Sequence, residues 1–461
     1  METSSTGPSG TGPREPGSPF ALPPAPSRRR LLRGVRALAA AGTLGAGGYQ
    51  AYRVLRPPAD PRTVIPLYSG TVAYDATGQR VLVGAAGVEA ALRPGTRLTA
   101  DVPGGSAAAE RSEQFWSVTA PWRSRVEADG SIPAEIADLA GSALADLWVL
   151  CDDLPAPVAA WTPYWRYVWP RDTAFCAVAL ARVGHVDHAV RILEHLQSIQ
   201  PAEAWFEARY VPGTDRAPDD RERQFDGTGL GLWAAAEVAD AGGEARRGEI
   251  AQRLSRLIST SQRILLTATR DGEGMPPASP DYWEVPERRV TIGIMASTLA
   301  GLRAAGTLTG EDRALRAADA FSSLLASTFG AGGFQRYRRG GGPDSGRAFL
   351  DATGCHGLVA PRQLRSLRAD LARPAGGIAP GASWREDGIS WTPSTSLLGL
   401  ALARAGERDG AREILHWVAA HRTLDGSVPE KVLFDGRPAA VAPLAWTAAN
   451  VLLTIDALAR A

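Results

Sequence analysis

Three stretches of this chain end in nearly the same five residues: LARVG at 180–184, LRAAG at 302–306 and LARAG at 402–406. Glycine suits the place just past the last turn of a helix, because the left-handed backbone found there costs it nothing. A short polar turn follows each ending, and then a second run with apolar residues at helical spacing. Val190, Leu193 and Leu196 mark the first such run, Leu315, Ala318, Phe321 and Leu325 the second, and Ile414, Leu415 and Val418 the third. A fourth copy runs through 234–243 into 250–266. The repeated unit is a helical hairpin, which buries its apolar face only by stacking on its neighbours.

The same periodicity predicts helices near 134–151, 173–183, 187–199, 229–241, 249–268, 291–305, 311–327, 357–372, 394–405, 409–420 and 443–460. A twelfth is expected near 106–116, where Ser106 can cap and Ala107, Ala108 and Ala109 favour helix. Twelve helices in six hairpins predict an all-α (α/α)6 barrel over 104–461, with alternate helices in an inner and an outer ring; an open solenoid is the alternative. Ahead of it, TVIPLYSGTVAY and QRVLVGA within 62–103 read as short strands separated by turn residues, a hairpin or cap leading into the barrel.

The chemistry-bearing residues have a fixed place in this repeat. WRYVWPRD at 165–172, RERQFDG at 221–227, PDYWEVPERR at 280–289, WREDGISWTP at 384–393 and PEKVLFDGRPAAVAP at 429–443 each lead into the first helix of a hairpin, so helix direction puts all five on one rim. Loops between purely structural helices are short, whereas these are long and rich in Trp, Arg, Asp and Glu. The run 161–172, with Trp161, Trp165 and Trp169 beside Arg171 and Asp172, offers aromatic faces for pyranose rings and donors and acceptors for hydroxyls. A Trp-rich core loop is the structural alternative. Two of these loops carry Glu284 and Glu430, 146 residues apart. Only the fold can bring that pair across a substrate, as glycoside hydrolysis needs: one carboxylic acid protonates the leaving oxygen and one carboxylate activates water.

Composition narrows the partners. With 50 basic and 49 acidic residues and no basic stripe, nothing points to nucleic acid or an acidic partner. Cys151, Cys176 and Cys355 lie far apart with no CxxC pair, so neither a disulfide framework nor a metal site is indicated, and no cofactor motif is present. No long heptad or apolar stripe argues for an oligomer. Residues 1–26, rich in Gly, Pro, Ser and Thr, are expected to be disordered. In 27–56, SRRRLLR precedes a mildly apolar Ala/Gly run, which resembles a twin-arginine export signal or a membrane anchor and predicts a protein secreted or held at the outer face of the membrane.

From Trp161 to the C-terminus the residues resemble the glucoamylase family, glycoside hydrolase family 15. YVWPRDTAF is similar to its Tyr-x-Trp-x-Arg-Asp segment, QFDGTG to its Gln-x-Asp-x-x-Gly segment, DYWE to its Trp-Glu segment, and PEKV to its Pro-Glu segment. The resemblance implies an exo-acting, inverting α-glucoside hydrolase with Glu284 as general acid and Glu430 as general base, their carboxyl groups about 6.5–9.5 Å apart. It also implies that Trp169, Arg171, Asp172, Asp226, Tyr282, Trp283 and Trp391 bind the sugar, and that a Trp-lined pocket favours the neutral form of Glu284. Asp226 and Glu386 are competitors for the base, and Glu287 for the acid, although Arg288 and Arg289 beside it favour an ion pair. A glycan-binding protein that kept the barrel without turnover is the other reading. A terpene-cyclase-like barrel would rest on Asp219 and Asp220 alone, which sit in a polar loop.

Overall fold

The computed structural model of the chain describes residues 63–202 and 205–460; the expected tail at 1–26 and the export signal or anchor at 27–56 lie outside the described residues. Fourteen helices are present among the described residues. Six of them form a closed inner ring: α3 (Pro170–Arg182), α5 (Asp226–Ala241), α8 (Ile292–Thr309), α10 (Ala348–Ala352), α12 (Thr392–Arg404) and α14 (Ala445–Arg460). Each packs on the next, and α14 packs back on α3, so the ring closes and the solenoid alternative is ruled out. An outer layer of α2 (Ala134–Cys151), α4 (Val186–Ile199), α7 (Ser255–Thr269), α9 (Asp312–Thr328), α11 (Pro361–Asp370) and α13 (Arg408–Ala420) covers it. The fold is the expected (α/α)6 barrel.

The sequence shows why the rings differ. In α3 and α12 nearly every residue is buried and most are Ala, Leu, Thr or Ser, because these helices are surrounded on all sides. The outer α4 buries only one stripe, Ala189, Val190, Ile192, Leu193, Leu196 and Ile199, and turns its charged residues outward. Inner neighbours approach closely where glycine permits. A Cβ on Gly229 of α5 would lie 2.0 Å from the Ser297 carbonyl oxygen of α8, and one on Gly301 of α8 would lie 2.6 Å from the Gly229 Cα. Backbone cannot step aside as a flexible side chain can. Gly229→Ala is therefore expected to cost about 3 kcal/mol or more, read as a lowered urea midpoint; an unchanged midpoint would contradict this packing.

Several boundaries differ from expectation, each for a physical reason. Gly184 and Gly406 have φ of +109° and +81° and end their helices as expected, but Gly306 does not. Helix α8 runs on to Thr309 because Gly310, φ +65°, supplies the left-handed end four residues later, its N–H donating to the Gly306 carbonyl at 2.9 Å, so Gly306 lies inside the helix. The expected 249–268 helix is two, α6 (Glu244–Arg253) and α7, divided at Leu254. The inner α10, five residues preceded by a 3-10 turn at Ser345–Arg347, is too short to show a period, and the sequence reading has no helix there. The helix expected at 106–116 is α1 (Ala107–Ala128), which starts at the Ser106 cap, passes through Pro121 and packs on α2 outside the two rings.

Two small sheets complete the fold. The N-terminal hairpin pairs β1 (Thr71–Tyr74) antiparallel to β2 (Arg80–Val83). A three-stranded sheet in the order β3 (Ser390–Trp391), β4 (Lys431–Val432), β5 (Pro438–Ala439) was not foreseen. Its β3–β4 register sets Trp391 opposite Lys431, and so joins the rim loop before α12 to the loop that carries Glu430. No described helix is long and apolar enough to cross a membrane.

Candidate active site

Arg171 is the centre of the rim. Pro170 opens α3 at its first position, where a missing N–H costs nothing, and Arg171 follows it, 4% exposed. Its Nε donates to Asp172 Oδ1 (3.2 Å), Nη1 to Gln224 Oε1 and Asp226 Oδ2 (3.1 Å each), and Nη2 to Glu284 Oε1 (2.9 Å). The guanidinium carbon lies 5.1 Å from the centre of the Trp446 ring. One cation thus gathers three carboxylates, from the first turns of α3 and α5 and from the loop before α8. Asp172 and Asp226 both stand in the first turn of their helices, where the positive end of the helix dipole favours a carboxylate.

Burial pushes Asp172 and Asp226 up to about 6, the Arg171 charge pulls against it, and Glu284 adds to the rise. Burial also works against the charged form of Arg171, but the surrounding carboxylates outweigh it and hold the guanidinium ionised. A folded-state value above the unfolded aspartate's means that the native state keeps a proton which the unfolded chain has already released. Stability therefore falls as pH rises from about 4 to about 6 and levels off above that window. Counting one proton for this closely coupled pair, the loss between pH 4 and pH 7 is about 2–3 kcal/mol. Urea unfolding at both pH values should show this slope shrinking in Asp226→Asn; equal slopes in parent and variant would refute it.

Glu284 is held in a strained conformation. Asp281 makes the turn: its Oδ1 accepts from Trp283 N (3.0 Å) and its carbonyl from Glu284 N (2.9 Å), and Glu284 takes φ +55°. A left-handed non-glycine residue costs on the order of 1–2 kcal/mol and persists only where its surroundings impose it. The carboxylate is not in the apolar pocket that the sequence suggests. Arg171 donates to one oxygen and Arg221 Nη1 to the other at 3.3 Å, with Arg221 also paired to Asp219 at 3.2 Å. Asp219, which pairs with Arg209 as well, is a structural ion-pair member, and the Asp219–Asp220 reading lapses with it.

A second buried guanidinium supports this turn from below. Arg336, 1% exposed, lies 3.5 Å from the Trp283 ring centre and pairs with Asp281 (3.3 Å), Asp344 (3.2 Å) and Glu287 (3.1 Å). Glu287 also accepts from the Tyr337 hydroxyl at 2.8 Å, so it is tied into this base plate, by Arg336 rather than by the side chains of Arg288 and Arg289. Tyr282 belongs there too: its hydroxyl lies 2.6 Å from Asp344 Oδ1, 2.9 Å from Ser345 Oγ and 2.9 Å from the Pro380 carbonyl, and accepts from Gly346 N at 2.9 Å. Its ring packs on Phe349 and Trp446.

The aromatic residues sort in the same way. Trp283, Trp384 and Trp391 stand edge to face in a row, with centres 4.9 and 5.4 Å apart, linking the Glu284 turn to the β3–β4 pair. Lys431 Nζ lies 4.3 Å from the Trp391 ring centre. Trp169 is buried with Ala160, Val441 and Leu444, and Arg209 lies over its ring at 5.1 Å. Trp161 carries Arg80 and Arg166 over its ring at 4.8 and 4.2 Å, and Trp165 packs on Tyr68, so neither is the open platform that 161–172 suggested. Trp384, Trp446, Gln224 and Arg221 were missed as site residues. All but Trp446 lie within the rim segments singled out in the sequence, but nothing local marks which side chain turns inward.

Glu430 is 5% exposed. Its backbone N–H donates to the Val441 carbonyl (2.8 Å) and its own carbonyl accepts from Thr392 N (3.1 Å). The side-chain Oε2 lies 3.4 Å from Lys431 Nζ, outside hydrogen-bond geometry, and accepts no hydrogen bond. Glu386 stays half-buried in the loop between Trp384 and Ser390.

No protein-family model and no curated protein matches the chain. Among solved structures it is similar to a glycosidase variant in complex with glucose, at 22% identity and TM-score 0.60 over 70% of this chain and 98% of that one. It is also similar to the glucoamylase of Saccharomycopsis fibuligera, at 12% identity and TM-score 0.54 over 70% and 95% of the two chains. A bacterial glucoamylase complexed with acarbose matches at 14% identity and TM-score 0.53, over 77% of this chain and 62% of that one. The six-hairpin barrel is thus a fold shared with glycosidases and glucoamylases.

Proposed function

We propose that the protein is a glycoside hydrolase of the glucoamylase type, which removes glucose from the ends of α-glucans or oligosaccharides with inversion. The observation that carries this is the pair of rim glutamates in contrasting states. Glu284 is strained and held by two guanidinium groups, and Glu430 is buried with an oxygen that accepts no hydrogen bond. The counter-charge of Glu430 is Lys431, 3.4 Å away, so the buried carboxylate keeps a lone pair free of hydrogen bonds, as a group that must accept a proton from water needs. In the proposed reaction Glu284 gives its proton to the glycosidic oxygen as the bond to the anomeric carbon breaks. Glu430 takes a proton from a water that attacks that carbon from the opposite face. Asp172, Asp226 and Arg171 hold the hydroxyls of the terminal sugar, and Trp283 and Trp391 line its walls. The segment at 27–56 would export the enzyme to an extracellular glucan.

Purified full-length chain offered maltooligosaccharides, isomaltose and trehalose is expected to release glucose from at least one, and the ranking names the linkage. Non-catalytic glycan binding has one observation in its favour: both Glu284 oxygens are engaged by guanidinium groups, so the carboxyl must exchange a partner before it can donate a proton. That reading prevails if every substrate stays intact while calorimetry still registers oligosaccharide binding.

A further inference from the structure

The segment carrying Glu430 is gripped from behind by residues that no motif marks. Ser427 donates its hydroxyl to Asp146 Oδ1 (2.6 Å) and Val428 its N–H to Asp146 Oδ2 (2.9 Å). Asp146 lies on α2, 0% exposed, and Arg97 donates to the same Oδ1 from Nε and Nη2 at 2.9 and 2.6 Å. One buried carboxylate, neutralised by one guanidinium, therefore anchors the chain two and three residues before Glu430.

The N-terminal β element grips the same loop from the other side. Thr71 Oγ1 is 2.5 Å from Ser427 Oγ, Thr423 Oγ1 donates to the Gly70 carbonyl (2.6 Å), and Ser69 Oγ to the Ala442 carbonyl (2.7 Å). Tyr68 N–H donates to the Ala440 carbonyl (2.7 Å), and Ala440 N–H returns a bond to the Pro66 carbonyl (3.0 Å). Val441, between these contacts, takes the backbone N–H of Glu430. Residues 66–71, 439–442 and 430–432 thus lie as successive layers. A Cβ at Gly70 or Gly84 would overlap the Asp425 carboxylate, so those glycines let the hairpin close on the loop.

We infer that Asp146, Ser427 and Thr71 are positioning residues for Glu430, and that the hairpin at 66–84 is a working part of the site rather than a cap on the barrel. The inference rests on the reading of Glu430 as the base. A base must hold a water in line with the anomeric carbon, and a shift of about 1 Å in such a group costs up to about a hundredfold in rate. The clamp's hydrogen bonds join none of the residues proposed to hold the sugar, so substrate binding should be left alone.

The test uses the full chain. Ser427→Ala, which removes both hydroxyl contacts, is expected to lower kcat about tenfold with KM within about twofold, and to move the acidic limb of the pH profile. Thr71→Val should lower kcat about threefold, and Thr71→Ser, which restores the hydroxyl, should return it to the parent value. The inference fails if kcat stays within twofold in all variants, or if it falls only with the folded fraction and Thr71→Ser is no better than Thr71→Val. A parent that releases no glucose would remove the reading of Glu430 as base. The clamp is then judged by hydrogen exchange of the 428–441 amides, which Ser427→Ala should speed about tenfold; unchanged protection would overturn it.

Discussion

Arg171→Ala is expected to destabilise the whole barrel by about 3–5 kcal/mol, the range found when one member of a buried ion pair is removed. The side chain is 4% exposed and holds Asp172, Asp226 and Glu284 within 3.2 Å, so its loss leaves three carboxylates facing one another, with Arg221 paired to Glu284. A loss of that size is at least about a fifth of the stability of a typical domain. It should appear as a fall in the thermal midpoint and as poor expression at 37 °C. The pH dependence separates this cause from simple loss of packing. Lowering the pH to about 4.5 protonates carboxyl groups whose pKa already stands near 6, so the deficit should shrink there. A deficit that stays constant from pH 4.5 to 7.5 would mean that packing against Trp446, not charge, is what the alanine removes. Arg171→Lys keeps the charge but not the planar fork that reaches three partners, and should fall between the two.

Glu284→Gln is expected to lower kcat on maltose by about 10²–10⁴-fold, the usual worth of a positioned general acid. Glutamine keeps the size of glutamate but turns an NH2 toward one of the two guanidinium donors, so a stability loss of about 1–3 kcal/mol is expected beside the loss of rate, and kcat is compared on folded protein. A glucoside whose leaving group departs without a proton, such as glucosyl fluoride, should lose far less than maltose does. Equal losses on both substrates would point to a binding role for Glu284. Full activity on maltose would move the acid elsewhere on the rim.

The barrel was legible in the sequence because hairpin periodicity repeats and because glycine marks helix ends. The exceptions show where that signal fails. Gly306 stands in nearly the same five-residue ending as Gly184 and Gly406, yet the helix passes through it and stops at Gly310. Helix α10 is shorter than two turns and carries no period to read. On the rim, the sequence named segments that the fold brings together, but it could not distribute their charges. Arg171 meets Glu284 across 113 positions, and Arg336 reaches Asp281 across 55, and no local pattern encodes either meeting. Tyr282 illustrates the same limit: it sits in the right motif, and its hydroxyl belongs to the support beneath the site. The clamp behind Glu430 is longer-range still, since Thr71 and Ser427 are 356 positions apart.

The most direct test of the central claim is the anomer of the glucose first released, followed by proton NMR on maltose with the parent chain, Glu284→Gln and Glu430→Gln side by side. A pair of glutamates acting as acid and base on opposite faces of the sugar predicts β-glucose from the parent and a loss of about a hundredfold or more in each variant. Release of α-glucose, or a Glu430→Gln chain as active as the parent, would contradict it.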